Sequence, residues 1–546
     1  MALAVLPPII KGEPTVTPAP SRDPSTGLER QPDRTFDRRD YAAMGLLVVG
    51  LVALFWKVLF TSQVFFFRDV YNFTYPHAKF IHDAVRHGYL PYWNPLLNYG
   101  ESVLADPNFL FFYPTTLLII LLPVAYAYCL HYVLHFAIAA IGTYCVARRW
   151  NQSRGAALFA ATAFAFSGPL LSLGNFYNQS ACTAWIPWTL LVTDIAIRSR
   201  SARPWIALSG LFALQFLAGE MFTLLATFVL CFAYALFQAG SAVQHPASGD
   251  VRLVPSTRQM PRTSKTEVRA TRFRVLAAFA AVGFGMTALC AVQLLPAMHL
   301  LATSRRGIQG MPYGETTYWS FHPLGLIESI LPGFFGSPLN GFPPIWDVVL
   351  NGRNDPYLVS IFTGFVALFF ALVGWAFGRD RRTKFLAAAA AVLVLLSFGR
   401  FTPLFALVYL LFQPLELVRF PVKLLVPATL LVVLLAGWGL DTLRDATTDW
   451  RRQRARIVNP LACLLTAVLI LLGLAWIAPW RIEQIGAAIL AFSNRLYTHS
   501  PERQLTGEQV AGGGEFIVAT IRLYFPGLAG YLLGGLMWLI ALEQKK

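Results

Sequence analysis

Apolar runs of about 20 residues recur along most of the chain, separated by short clusters of Arg and Lys. Runs of that length are read as membrane-crossing helices. Placing each basic cluster on the cytoplasmic side gives one alternation. Residues 41–60 form the first span. The segment 61–123 is outside, its last part, 109–123, a short interfacial or re-entrant helix broken at Pro114 and Pro123. Spans follow at 124–147, 155–173, 181–197, 204–219, 221–239 and 275–296. A second outside loop covers 297–355, with a short amphipathic helix expected at 323–331. Spans at 356–378 and 385–398 lead into a re-entrant or interfacial hairpin, 399–423, on the outside. The remaining spans are 424–441, 458–478 and 516–541, with an outside loop at 479–515. The expected fold is therefore an all-α polytopic membrane protein of about 12 transmembrane helices with a large first extracytoplasmic loop. It divides into a tail, 1–40, a transmembrane core, 41–440, and C-terminal helices, 441–546.

Composition agrees with that pattern. Hydrophobic residues make up 56% of the chain and charged residues only 13%, unlike an ordinary soluble protein. The net charge of +16 does not imply nucleic acid, because the basic residues sit between apolar runs, where the cytoplasmic leaflet is the anionic partner. Residues 1–40 are rich in Pro, Ser, Thr, Asp and Arg and read as a disordered cytoplasmic tail, with no cleavable signal and the first span as an uncleaved anchor. The C-terminus is also expected in the cytoplasm. Cys129, Cys145, Cys182, Cys231, Cys290 and Cys463 fall in or beside spans without CxxC spacing, and read as packing residues.

The outside segments hold the candidate chemistry, since ionisable groups at the membrane boundary are costly unless paired or working. Asp69 follows Phe65-Phe66-Phe67 directly after the first span. It could act as a general base whose pKa is raised by desolvation, or cap a helix beginning at Val70. Asp106, in Leu-Ala-Asp-Pro, suits a turn, or a second carboxylate that orients an acceptor. Two such carboxylates would suit Mg²⁺ or Mn²⁺, although nothing in the spacing makes them meet. His77 and His82 lack a third ligand at metal spacing. Arg419 and Lys423, four apart in Leu-Val-Arg-Phe-Pro-Val-Lys, could clamp a lipid phosphate or snorkel at a helix end. Arg305 and Arg306 invite the same two readings, and Lys79 is a further candidate cation. Glu220, between two spans, could bind a substrate hydroxyl or an internal cation. Outside tyrosines and tryptophans suit an interface belt or sugar stacking.

These residues, in this order, resemble the YfhO-like bacterial membrane proteins of the GT-C glycosyltransferase superfamily. The resemblance is carried by Asp69 followed by Tyr75-Pro76, by Pro-Tyr-Trp-Asn-Pro at 91–95 with Gly100, Ala105, Pro107, Tyr113 and Pro114, by Ser167-Gly168 and Trp185-x-Pro187, by Ala-Gly-Glu at 218–220, by Gln-Leu-Leu-Pro at 293–296 with Arg305, by Leu-Pro-Gly-Phe-Phe-Gly at 331–336, and by Arg-Phe-Pro-Val-Lys at 419–423. It covers most of 61–425 and little beyond 440. Longer members have a soluble domain near the C-terminus, where this chain has only 479–515. The resemblance implies a polyprenyl-phosphate-sugar donor, reaction on the outer face of a bacterial inner membrane, and Asp69 in the position of the catalytic acidic residue. The expected activity is sugar transfer to a glycan, lipid or protein acceptor, with Arg419, Lys423 and Arg305 neutralising the departing phosphate. A transporter or flippase for a lipid-linked glycan is the alternative. It would need a polar path and repeat symmetry, whereas the spans carry few central charges.

Overall fold

The structure, a computed structural model, describes residues 36–96, 99–242, 265–332, 356–444, 469–497 and 506–544, with scattered positions between 463 and 467. The regular elements of the described part are helices apart from a two-residue ribbon pairing Trp93 with Ser102 and Asn94 with Glu101. Among the described residues, four helices are long and apolar enough to cross a membrane: Val124–Arg149, Met221–Ala239, Arg272–Leu289 and Pro421–Arg444. A fifth crossing arises if Arg154–Ala165 and Gly168–Asn175, bent by 44°, are taken as one.

The Val124–Arg149 helix organises the core. Tyr128, Tyr132, Phe136, Ala139, Ala140 and Tyr144 on it are all within 1% of complete burial. It carries two histidines that are closed off by partners rather than open to a channel. The His131 ring lies 2.7 Å from the Thr115 hydroxyl and 3.1 Å from the Tyr177 carbonyl. The His135 ring lies 2.7 Å from the Tyr113 hydroxyl and 2.6 Å from the His131 carbonyl. Each carbonyl accepts a ring N–H, and the other nitrogen of each ring faces a hydroxyl, so both rings have their two polar atoms occupied. The Leu425–Arg444 helix packs on Phe365–Phe377 at backbone distance: a Cβ at Gly439 would come within 1.8 Å of the Phe370 carbonyl. Small residues permit this closeness, which is how helices gain contact where no water drives them together.

Several expected spans are broken. Between 181 and 197 the chain divides into Tyr177–Ala184 and Ile186–Ala196 at Trp185, just ahead of Pro187. Residues 356–364 are not helical, and the helix expected from 356 begins at Phe365, after Gly364 at φ +91°. The segment expected as an outside loop, 479–515, is not merely a loop, because Pro479–Tyr497 is helical and packs on Gly507–Gln544 through Ile482, Leu490, Ile517 and Ile521. A stripe of apolar residues at helical spacing explains it. The short helix expected at 323–331 is a 3-10 helix, Pro323–Ser329. Most of the tail 1–40, residues 333–355 of the second loop, and positions 458–462, 464, 465 and 468 of the span expected at 458–478 lie outside the described residues. Of the six cysteines, none is in a disulfide, and only Cys463 is exposed.

The bundle end that carries the basic clusters is closed by ion pairs. Asp194 is completely buried and accepts from Tyr234 Oη at 2.6 Å. Arg149, Arg198 and Arg382 stand 3.2, 3.3 and 3.6 Å from it. Beside it, Asp40 accepts from Tyr144 Oη at 2.7 Å and Arg148 Nε at 2.8 Å.

Candidate active site

At the opposite end, six segments distant in sequence converge. The first long loop leaves the first helix through Phe65, which packs edge-on to Tyr132 at 5.0 Å. Arg68 then adopts φ +52°, a left-handed conformation that is uncommon for a residue with a side chain. It is fixed there because its Nη1 donates to the Pro356 carbonyl at 2.5 Å and its guanidinium lies over the rings of Trp319 and Phe176. Asp69 follows, then a π-helical turn, Val70–Thr74. Such wide turns are infrequent and collect at functional sites. Asp69 does not cap this turn with its side chain, so the capping role is not taken.

The hairpin 399–423 supplies the cations. Phe420 is also left-handed, at φ +76°. Its N–H donates to the Thr316 carbonyl at 2.8 Å, and Val422 N–H to the Trp319 carbonyl at 3.2 Å. These bonds seat the hairpin on the loop 311–322. Pro421 opens a 3-10 turn, Pro421–Leu424, so Arg419 and Lys423 are not one helix face. Arg419 is exposed and stacks on Phe420. Lys423 is largely buried. Its Nζ donates to Glu220 Oε1 at 2.5 Å and lies over the rings of Tyr357 and Phe420.

Glu220 is thereby assigned to the internal cation rather than left open for a hydroxyl. Its second oxygen accepts Thr223 N–H at 2.7 Å, starting the helix Met221–Ala242. Burial alone would push its carboxyl up, but Lys423 and Thr223 together hold it below its ordinary value. The preceding Gly219, at φ +78°, is where the first loop docks: a Cβ there would fall 2.2 Å from the Pro107 carbonyl.

Asp69 is half-buried, and among the described residues its carboxylate has no hydrogen-bond or ion-pair partner. Burial raises its pKa above the ordinary aspartate value, while Arg68, Arg419 and Lys423 act on it in the opposite sense without cancelling the rise. It is thus a carboxylate set among cations, with its oxygens uncommitted to any of them.

The other candidates separate from it. Asp106 accepts from Asn108 N–H and Asn108 Nδ2 at 2.9 and 2.8 Å and caps the turn Pro107–Phe109. Its pKa is raised by burial, against the two Asn108 bonds. Asn108 in turn accepts from Asn178 Nδ2 at 2.9 Å, so Asp106 braces the loop. Lys79 pairs with Asp83 at 2.5 Å on an exposed helix face, and Arg305 pairs with Glu315 at 3.0 Å in solvent. Neither is brought to Asp69. Arg306, the neighbour of Arg305, is instead drawn inward. Burial first, then Arg419 beside it, lowers its pKa, with Asp106 acting the other way. The Ser304 hydroxyl oxygen accepts Gly307 N–H, and the one-turn helix Arg305–Gln309 that it starts sends the two arginines different ways.

Tyr357 was not legible as a site residue. It is fully buried, donates to Gln179 Oε1 at 2.6 Å, and stacks on Phe176 at 4.3 Å, forming the wall under Lys423. Its only signal is its place beside Asp355-Pro356. His77 stacks on Phe109 at 3.9 Å and faces Glu101 at 3.3 Å, and the His82 ring meets the Ile119 carbonyl. Among the described residues no three of His, Cys, Asp and Glu gather at metal-binding spacing. Asp69 faces three cations and Asp106 is occupied by Asn108, a donor set that does not fit Mg²⁺ or Mn²⁺.

No protein-family model matches the chain, and no curated protein does. Among solved structures, the crystal structure of ArnT from Cupriavidus metallidurans bound to undecaprenyl phosphate is similar over 90% of this chain and 77% of that one, with 12% identity and a TM-score of 0.37. A likeness of that size assigns neither a fold family nor a chemistry.

Proposed function

We propose that this protein is a membrane glycosyltransferase of the GT-C type, moving a sugar from a polyprenyl-phosphate donor to a glycan, lipid or protein acceptor. The observation that carries the reading is Asp69, an unengaged and half-buried carboxylate beside Arg68, Arg419 and Lys423 at the bundle end remote from the basic clusters. The positive-inside rule makes that end the extracytoplasmic one. The topology that goes with it has twelve spans and both termini in the cytoplasm of a bacterial inner membrane.

The acceptor hydroxyl oxygen forms a bond to the anomeric carbon, and Asp69 takes its proton. The bond from that carbon to the phosphate oxygen breaks, its electron pair staying on the phosphate. Charge therefore grows on the departing lipid phosphate, where Arg419, with Arg306 beside it, can take it up in a bidentate manner. Lys423 adds a point charge. Displacement from the face opposite the phosphate inverts the anomeric centre. The closed partners of His131 and His135 support an enzyme over a transporter, which would need an open polar path through the bundle.

The test is transfer by the purified protein in lipid with polyprenyl-phosphate sugars. Asp69→Asn keeps the shape and removes the base, so transfer should fall by about 10²–10⁴. Wild-type transfer by that variant would end the base assignment. No transfer from any lipid-phosphate sugar by the wild type would end the whole reading.

A further inference from the structure

The first outside loop carries an apolar projection that the proposed chemistry does not use. After Arg86 and His87 the chain runs Gly-Tyr-Leu-Pro-Tyr-Trp-Asn-Pro-Leu to Leu96, and no charge appears until Glu101. The ribbon between Trp93–Asn94 and Glu101–Ser102 folds this stretch back on itself. Gly100, at φ +113°, lies under the Trp93 ring, 2.3 Å from where a Cβ would sit. Six large side chains are left outside: Tyr89, Leu90, Tyr92, Trp93, Leu96 and Tyr99, from 46% exposed at Leu90 to full exposure at Tyr99. Six large apolar and aromatic side chains gathered on one projection form an exposed patch of the kind that marks an interaction site, so the patch calls for an occupant.

The depth of the hairpin identifies one. Immediately after it, the carbonyls of Leu104 and Ala105 accept from Gln293 Nε2 at 2.9 and 3.3 Å. Gln293 lies in the first turn of the helix Ala291–Thr303, which follows a break at Cys290 in the span expected at 275–296. The outer face of its helix, Ala291–Thr303, is bare apolar surface formed by Val292, Leu295 and Met298. The hairpin therefore leaves the bundle beside an outward-facing apolar helix face, just past the end of the apolar helix Arg272–Leu289. Its mixture of Tyr and Trp with Leu and Pro, without charge, is the chemistry of the headgroup–acyl boundary. A sugar platform would pair its rings with polar side chains, and the aliphatic Leu90 and Leu96 argue against one.

We propose that the described part of this hairpin, residues 89–96 and 99, is a membrane-interface anchor that seats in the outer leaflet. Three residues separate Tyr99 from Val103, which is fully buried, and Pro107 then abuts Gly219 beside Glu220 and Lys423. The anchor thus ties the depth of the site to the depth of the lipid phosphates. The proposal requires only that the chain spans a bilayer and stands whether or not the site transfers sugar.

Environment-sensitive fluorophores report it. A Cys463→Ser background removes the one exposed cysteine. Leu96→Cys then places a label on the hairpin, and Lys79→Cys places one on the charged face of the preceding helix, Tyr75–Arg86, for comparison. In nanodiscs of phosphatidylcholine and phosphatidylglycerol, iodide in water should quench the label at 96 at least about threefold less than the label at 79, and lipid carrying a nitroxide near its headgroup should quench 96 the more strongly. Equal iodide quenching at the two positions would overturn the proposal. So would a label at 96 shielded from both quenchers, because protein rather than lipid would then cover the patch.

Discussion

Two aspartates in this molecule sit at opposite ends of one bundle and have opposite fates. Asp194 is sealed from solvent and engaged by Tyr234, Arg149, Arg198 and Arg382. Asp69 is half-buried, lies near Arg68, Arg419 and Lys423, and holds none of them. Both are acids among bases. What separates them is whether the carboxylate oxygens are already committed. A committed carboxylate fixes helices to one another, and an uncommitted one can still accept a proton. Proximity of charge by itself does not mark a working group.

This comparison can be broken in several ways. The largest expected effect is on rate. Asp69→Asn should lose about two to four orders of magnitude in transfer and leave the melting temperature of the detergent-solubilised protein where it was. Asp194→Ala should do the reverse. Three arginines would be left facing a vacated, buried position, at a cost of about 3–5 kcal/mol, read as a fall in melting temperature, while transfer per folded molecule holds. If Asp194→Ala abolished transfer in protein of unchanged stability, the division of roles would be lost.

A smaller effect separates the cations. Arg419→Gln should reduce kcat/KM by about tenfold, the loss of one charge-assisted hydrogen bond to a phosphate. Both Arg419→Gln and Lys423→Gln should also move the acidic limb of the pH–rate profile to higher pH. The sign follows from Asp69. It works as the carboxylate, its pKa is already raised by burial, and the neighbouring cations hold that rise down. Removing one lets the pKa climb further, so the base stays protonated to a higher pH. A limb that moved toward acid would sink the assignment of that limb to Asp69. The smallest effects belong to Lys79→Ala and Arg305→Ala. Each breaks an exposed ion pair worth about 0–1 kcal/mol and should leave both melting temperature and kcat/KM close to wild type.

How much of this was readable in the chain differs between the two ends. Asp69, Arg419 and Lys423 stood out because polar groups beside apolar runs are few, and their shared placement follows from one alternation of spans. The Asp194 lock was missed because its arginines, 149, 198 and 382, were already explained as topology signals, and nothing local says which of them meet inside. An acid within an apolar run was the available sign. The choice between Arg305 and Arg306 was not legible for another reason. Neighbours on one turn of helix point about 100° apart, and only the placement of that turn decides which faces inward. The helix breaks at Trp185 and before Phe365 were missed because hydropathy reports apolar length and not whether the backbone runs straight through it.

The abutment of Gly219 on Pro107 carries one more consequence. The first loop and the turn that bears Glu220 meet there through main chain alone, with no space for even a methyl group. A joint of that kind has no side-chain chemistry to exchange. Replacement at 219 is a question of volume and handedness, and both forbid anything but glycine. A saturation library at this position should therefore return a single tolerated letter, whereas Glu220 next to it, whose job is a charge at a given reach, should still admit aspartate at reduced function. The most intolerant site near the proposed active centre would then be a residue with no functional group at all.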